Sequence, residues 1–347
     1  MTETKKSLLR WAVVIVLLVA CVWFTIRNLD MAKVWGYMVS ADYLWVLLSI
    51  PVMLMSHWVR AFRWKTMLQP VVKHTKMLDL FSAVMAGYAV NNVLPLRTGE
   101  LVRPYVLARR EKISFTSVFA TIIVERFIDV VVLFLMLAAV TFAFRDAIKT
   151  ALPNLPAEKL FVPCIAILIV IALSFWPKFI KMVLRFTIKP LSIKLHDKIN
   201  DLFDKFAHGF EIVKKPSQYA RLIIESLLIW LLYTIPNFLM FFSFGLNKAP
   251  FNMNFYDAIL LIVISGIAYT IAPTPGAFGF YHPLIVSTLA KLYGVNYELA
   301  LAYATVNHGL NYLVQVIFGG LFLLRENVKK IPHTEDIEKE LGTIVPE

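Results

Sequence analysis

Apolar residues along this chain gather into long blocks instead of alternating with polar ones. Nearly uninterrupted blocks cover Leu8–Ile26, Tyr43–Trp58, Phe115–Phe144, Leu160–Trp176, Tyr219–Leu246 and Leu299–Leu324. Each approaches or exceeds the ~20 residues that carry a helix across a bilayer. Two further blocks, Leu78–Leu94 and Ala258–Ala272, run straight into Pro/Gly-rich breaks, each followed by a shorter helical stretch. The breaks are Pro95-Leu96-Arg97-Thr98-Gly99 and Pro273-Thr274-Pro275-Gly276-Ala277-Phe278-Gly279. The pattern predicts an all-α polytopic membrane protein, with about six spanning helices plus two re-entrant helical hairpins.

Composition agrees with that pattern. Hydrophobic residues make up 59% of the 347, charged residues 17%, and the mean hydropathy is +0.69. Soluble domains hold about 45–50% apolar and about a quarter charged residues. A soluble enzyme, a disordered chain and a disulfide scaffold are therefore excluded. Cys21 and Cys164 fall in separate apolar blocks and read as inert packing. Leu18-Val19-Ala20-Cys21 has the look of a lipoprotein cleavage box, but the apolar run continues through Val22, Trp23, Phe24 and Ile26. An uncleaved first spanning helix is expected.

The net charge of +12 changes the picture only once it is sorted by position. No nucleic-acid module accompanies it. Basic residues flank the blocks as topology signals: Lys5, Lys6 and Arg10 before the first; Arg60, Arg63, Lys65, Lys73 and Lys76 after the second. Arg97, Arg103, Arg109, Arg110 and Lys112 follow the first broken block, and Arg325, Lys329 and Lys330 the last. Under the positive-inside rule both termini are cytoplasmic, and the first hairpin, 78–110, enters and leaves from that side. The second hairpin, 256–292, opens to the opposite side. A rival arrangement with both hairpins fully spanning fits the basic loops less well. The stretch 178–218, where basic and apolar residues intermix, reads as amphipathic helices on the inner leaflet or as a solvated linker.

The chain also aligns with itself. At an offset of 182 residues, Arg110–Val124 meets Leu292–Val306 without a gap; Glu100 faces His282, Glu125 faces Asn307, Arg126 faces His308 and Asp129 faces Asn311. Residues 1–150 and 151–324 thus read as two membrane repeats of opposite orientation, followed by a cytoplasmic tail, 325–347. Inverted repeats with broken helices are a recurrent transporter plan, with substrate bound where the repeats meet.

Candidate chemistry sits near the breaks. Glu125, Arg126 and Asp129 lie inside an apolar block, where uncompensated charge is expensive. They form either a structural ion pair or a head-group or proton-coupling site. Arg97, Glu100 and Arg103 are spaced to project from one side of the hairpin's second half, where freed backbone N–H groups favour an anion. They serve either phosphate binding or topology. His282, Asn307, His308, Asn311 and Gln315 add a polar line to apolar helices, and the histidines are either titratable or structural. Asn91 and Asn92 satisfy loose backbone groups beside the break, whose other members are Pro95, Gly99, Pro273, Pro275, Gly276 and Gly279. No metal site, cofactor motif, nucleotide motif or catalytic signature is present, so neither a cofactor nor a metal is expected.

Asn91 through Arg103, followed by Val124-Glu125-Arg126-Phe127-Ile128-Asp129, resembles the first signature of the lysylphosphatidylglycerol synthase/flippase membrane domain. Pro273 through Gly279 resembles its second. The resemblance implies a flippase-like protein of the cytoplasmic membrane, without the soluble domain that aminoacylates lipid. It also implies a departure, because His282 and His308 stand where the family has a glutamate and an arginine. The expected function is movement of a polar or anionic lipid, a phospholipid or lipid-linked glycan, between leaflets. The alternatives are an intramembrane transferase on a lipid-linked sugar and a non-catalytic partner of a lipid-synthesis enzyme. Expected partners are the membrane lipid, the bilayer, a lipid-biosynthesis enzyme or a second copy of the chain, and no nucleic acid.

Overall fold

The computed structural model describes residues 16, 18–95, 97–146, 182, 185–187, 193 and 216–326. The expected span Leu160–Trp176, Cys164, nearly all of the amphipathic segment, the tail past Glu326 and the basic residues before the first span lie outside the described residues.

Every regular element among the described residues is helical. Residues 18–26 are helical, followed by α1 (Met31–Val39), α2 (Tyr43–Leu68), α3 (Met77–Val93), α4 (Gly99–Glu111) and α5 (Phe115–Ala143). Then come α6 (Pro216–Ser243), α7 (Phe255–Ile271), a 3-10 turn (Pro275–Ala277), α8 (Tyr281–Tyr293) and α9 (Tyr297–Arg325). Caps explain several starts. The Asp30 carboxylate accepts from the N–H groups of Ala32 and Lys33, and Asn296 accepts from Leu299 N–H. Asn254 and Asp257 close a reciprocal capping box on α7. Gly294 ends α8 in the left-handed conformation, φ 66°.

The helix boundaries repeat. α4 and α8 are each 13 residues, α5 and α9 each 29, and all four boundaries are displaced by 182 residues. α3 and α7 are both 17 residues long, and the second break is longer than the first. The 182-residue offset is thus shared by these two helix pairs, whereas α3 and α7 are displaced by 178.

Among the described residues, three helices are long and apolar enough to cross a membrane: Tyr43–Leu68, Gln218–Ser243 and Tyr297–Arg325. Their surfaces invert the soluble pattern. Leu313, Ile317, Leu321 and Leu324 are exposed on α9, while Asn307 and His308 of the same helix are buried. Water would reverse that distribution; lipid favours it.

The described residues fall into two compact units. The first draws on residues 18–60, 81–95, 97–103 and 228–326; the second on 61–80, 104–146 and 216–227. In the first unit α9 packs on α1 and α8, and α8 on α7. Ala300, Ala302 and Ala304 are fully buried in this core beside Tyr303, Ile285, Leu289 and Phe241. Small residues let helices approach closely where lipid supplies little drive for association. Gly99 does the same at the first break: a Cβ there would collide with the Gly87 carbonyl oxygen. The Gly99 N–H donates to Asn91 Oδ1 at 2.8 Å, as expected for an asparagine that satisfies loose backbone.

The far ends of both helix pairs are tied. Arg110 at the end of α4 contacts Asp79 at the start of α3 at 2.9 Å, inside the second unit. Inside the first unit the Tyr293 hydroxyl, ending α8, donates to Asp257 Oδ1 at the start of α7 at 2.7 Å.

One boundary differs from expectation. α2 does not stop at Trp58 but continues to Leu68, so Arg60 and Arg63 lie within a helix and are buried. They are not loop residues, because each finds a polar partner that a loop would not have provided.

Candidate functional site

In the first unit the polar side chains of α9 gather both breaks. His308, 2% exposed, places Nε2 2.7 Å from the Gly276 carbonyl, so this nitrogen carries the donated proton. Gly276 adopts φ 55°, a conformation that glycine supplies readily. The imidazole stacks on Tyr281 with centroids 4.5 Å apart, and also meets Phe278 and His282 at 4.7 and 5.0 Å. The two histidines singled out from sequence are thus in contact.

One residue earlier, Asn307 Nδ2 donates to the Tyr281 hydroxyl and to Asn237 Oδ1, both at 2.9 Å. One turn and two turns further on, a chain of amides runs back to the first break. Asn92 Nδ2 donates to Gln315 Oε1 at 2.7 Å, and Gln315 Nε2 donates to Asn311 Oδ1 at 2.6 Å. Asn311 Nδ2 reaches the Tyr269 hydroxyl at 3.5 Å, and an Arg97 N–H donates to the Tyr269 carbonyl. Positions 307, 308, 311 and 315 share one helical face, which is why α9 can touch both breaks.

Arg97 corrects a spacing argument. It precedes α4 and sits in the turn at φ 55°, so the three-residue interval to Glu100 is not a helical one. The Arg97 side chain is 39% exposed and pairs with Glu100 at 3.8 Å. Arg103 is instead buried, its Cβ beside Gly87. The three residues do not form one projecting face. Pro95 lies in the first break; Pro273, Pro275 and Gly279 frame the second, which is also held by the Thr274 hydroxyl donating to the Phe278 carbonyl at 2.6 Å.

The second unit holds the charged group. Asp129 Oδ1 is 2.5 Å from an Arg63 N–H nitrogen, its Oδ2 3.7 Å from Arg126, and Glu125 is 3.7 Å from Arg63. Arg63 also donates to the Ser226 hydroxyl at 2.9 Å. Arg63 and Glu125 are both fully buried. Opposite charges in contact are what keep such groups in an apolar block. Nearby, Glu225 accepts from Thr66 and Arg221 at 3.2 and 2.7 Å. Arg63 and Glu225 were not singled out from sequence: the first looked like a topology signal, the second a lone acid in a long apolar run.

The sequence profile described as the lysylphosphatidylglycerol synthase TM region matches residues 10–319. The chain belongs to that family. Within it, a UPF0104 membrane protein of Pyrococcus horikoshii is 23% identical over 304 residues, covering 83% of this chain and 89% of that protein. A UPF0104 membrane protein of Methanocaldococcus jannaschii is 24% identical over 249 residues, covering 71% and 98%. The glycosyltransferase AglD of Haloferax volcanii is 22% identical over 334 residues, covering 89% of this chain but 53% of AglD. Membership in the lysylphosphatidylglycerol synthase TM region family and the apolar helices together make this a membrane protein with a lipid-related role.

Proposed function

We propose that the chain is a lipid flippase of the cytoplasmic membrane, moving a phosphate-bearing or otherwise polar lipid between leaflets while the acyl or prenyl chains stay in the bilayer. The observation that carries this reading is the joining of both breaks on one face of α9, through Asn92, Gln315, Asn311 and Tyr269 on one side and His308 and Gly276 on the other. Broken helices that meet in a polar cluster are how transporters offer backbone groups to a substrate inside the membrane.

Two observations support the repeat and the hairpins. The matched helix lengths support two copies of one unit. The ties Asp79–Arg110 and Asp257–Tyr293 support hairpins whose two ends lie at one membrane face. With both termini cytoplasmic, the first hairpin opens inward and the second outward.

In this reading Arg97, half-exposed at the first break, meets the phosphate. Arg103 adds positive potential, and Glu100 orients Arg97. Glu125 and Asp129 hold Arg63 and Arg126 and set the local charge balance. His282 and His308, with Asn307 and Asn311, supply neutral hydrogen-bonding groups along which a head group moves. Transport runs down a gradient or is drawn by an enzyme that consumes the flipped lipid; that enzyme and a second copy of the chain are the proposed partners.

AglD gives one observation for a second reading, an intramembrane transferase on a lipid-linked sugar. Reconstitution in liposomes with a tagged phospholipid or lipid-linked sugar separates the two. A tagged lipid that changes leaflet at unchanged mass supports the flippase; a new covalent product without leaflet exchange overturns it.

A further inference from the structure

A second polar cluster in the first unit lies away from the breaks, grouped around Tyr233 of α6. Arg60 of α2 donates through Nη1 to the Tyr233 hydroxyl at 2.8 Å, and the Tyr88 hydroxyl of α3 is 3.5 Å from it. The Arg60 guanidinium stands 5.8 Å from the Tyr88 ring centroid. The His57 ring is 4.6 Å from Tyr88 and 6.4 Å from Tyr233, and the Trp230 ring is 6.2 Å from Tyr233. Arg60 and His57 are each 3% exposed and Trp230 9%, whereas Tyr88 and Tyr233 are only partly buried.

Two buried polar atoms here have no hydrogen-bond partner: Trp230 Nε1 and His57 Nδ1. An indole N–H is a donor and nothing else, as is a guanidinium, and a phenol donates readily. Burying an unmet donor costs free energy that a ligand can recover. A guanidinium, an indole N–H and two phenols are groups from which an anion can accept hydrogen bonds. The cluster's depth excludes a surface role: Arg60 precedes the end of α2 by eight residues, about 12 Å along the axis.

The cluster also connects to the break site. Asn237, one turn beyond Tyr233 on α6, donates to the Tyr233 carbonyl at 3.0 Å and accepts from Asn307 at 2.9 Å. We infer that Arg60, Tyr88, Tyr233, Trp230 and His57 form an intramembrane binding site for a phosphate-class anion, one helical turn from the joined breaks. This deepens the flippase reading and rests on it in one respect, that the chain handles a phosphate-bearing lipid. The partly buried tyrosines form the open side through which the group arrives.

The test is equilibrium binding to the purified full chain, with phosphatidylglycerol and diacylglycerol of identical tails as probes and inorganic phosphate as competitor. The wild type retains phosphatidylglycerol over diacylglycerol. Arg60→Met, Tyr233→Phe and Trp230→Phe each weaken that preference by about tenfold, the loss expected for a hydrogen bond to a charged group. Tyr233→Phe keeps its ring and Trp230→Phe keeps an aromatic one, so the result does not depend on Arg60→Met folding. If inorganic phosphate displaces the lipid, the site stands and its ligand includes the free anion. If it does not, the site stands and reads the anion only on a lipid. No preference in the wild type, or an unchanged preference in all three variants, overturns the site. A chain that binds but does not translocate defeats the flippase reading alone. A chain that translocates without any lipid preference defeats this site alone.

Discussion

Replacing Arg63 by alanine removes a counter-charge from one fully buried carboxylate and one largely buried one. The Arg63 and Glu125 side chains are both 0% exposed and Asp129 is 15% exposed, with Asp129 2.5 Å and Glu125 3.7 Å from the guanidinium. The lost bond to Ser226, 2.9 Å long, adds to the deficit. Removing one member of a buried pair costs about 3–5 kcal/mol, because the other charge stays behind uncompensated. That lowers the folded-to-unfolded ratio between about a hundredfold and several thousandfold. Purified protein followed by gel-filtration monodispersity against temperature should melt roughly 10 °C lower than wild type. Adding Glu125→Gln and Asp129→Asn to Arg63→Ala removes the stranded charge and should recover most of the loss. A single variant that melts within about 2 °C of wild type would refute the view that this group holds the second unit together.

Other consequences follow from close approaches and ties. A Cβ on Gly319 would run into the Met85 carbonyl and lie 2.6 Å from Ala89 Cβ, while one on Gly320 meets nothing within 4 Å. Gly319→Ala should therefore destabilise by about 1–3 kcal/mol, and Gly320→Ala should be neutral or slightly stabilising, both read by melting. Tyr293→Phe removes the donor to Asp257, itself 6% exposed, and should cost about 1–2 kcal/mol. Arg110→Ala should cost less, about 1 kcal/mol or under, because Arg110 is 36% exposed. Burial, and then Asp79, hold the Glu111 carboxyl above its ordinary 4.5, opposed in part by Arg110 and Lys76. Its neutral form favours folding, so that stability is full below 4.5 and is lost as pH rises through the raised value. Glu111→Gln should flatten the pH dependence of melting in that window, and an unchanged slope counts against the assignment.

The architecture was legible wherever hydrophobic blocks met abrupt punctuation. Pro95 to Gly99 and Pro273 to Gly279 marked where helices stop, and the helices on either side end within a few residues of the expected places. The histidine pair was also legible, and its rings do touch. Arg60 and Arg63 were not, because a basic run after an apolar block has the same appearance whether it leaves the membrane or stays in a helix. Only partners distant in sequence, Tyr233, Asp129 and Ser226, decide between the two. α1 was missed since nine residues are too few for a periodic signal, although Asp30 before Met31 is a readable cap. Tyr269, Tyr281 and Asn237 escaped notice because lone polar atoms in apolar runs acquire meaning only from what they touch.

The central claim is that the joined breaks form a path for a lipid head group. The most direct measurement is leaflet exchange of a fluorescent phospholipid in proteoliposomes, followed by quenching from the outside with a membrane-impermeant reductant. Wild-type protein should expose nearly all of the label, and Asn92→Leu with Gln315→Leu, which cuts the amide chain between the breaks, should slow exchange at least tenfold, in line with the loss of polar partners in an apolar setting. Exposure of only the outer half of the label, as in protein-free vesicles, or exchange unaffected by the double variant, would contradict the account.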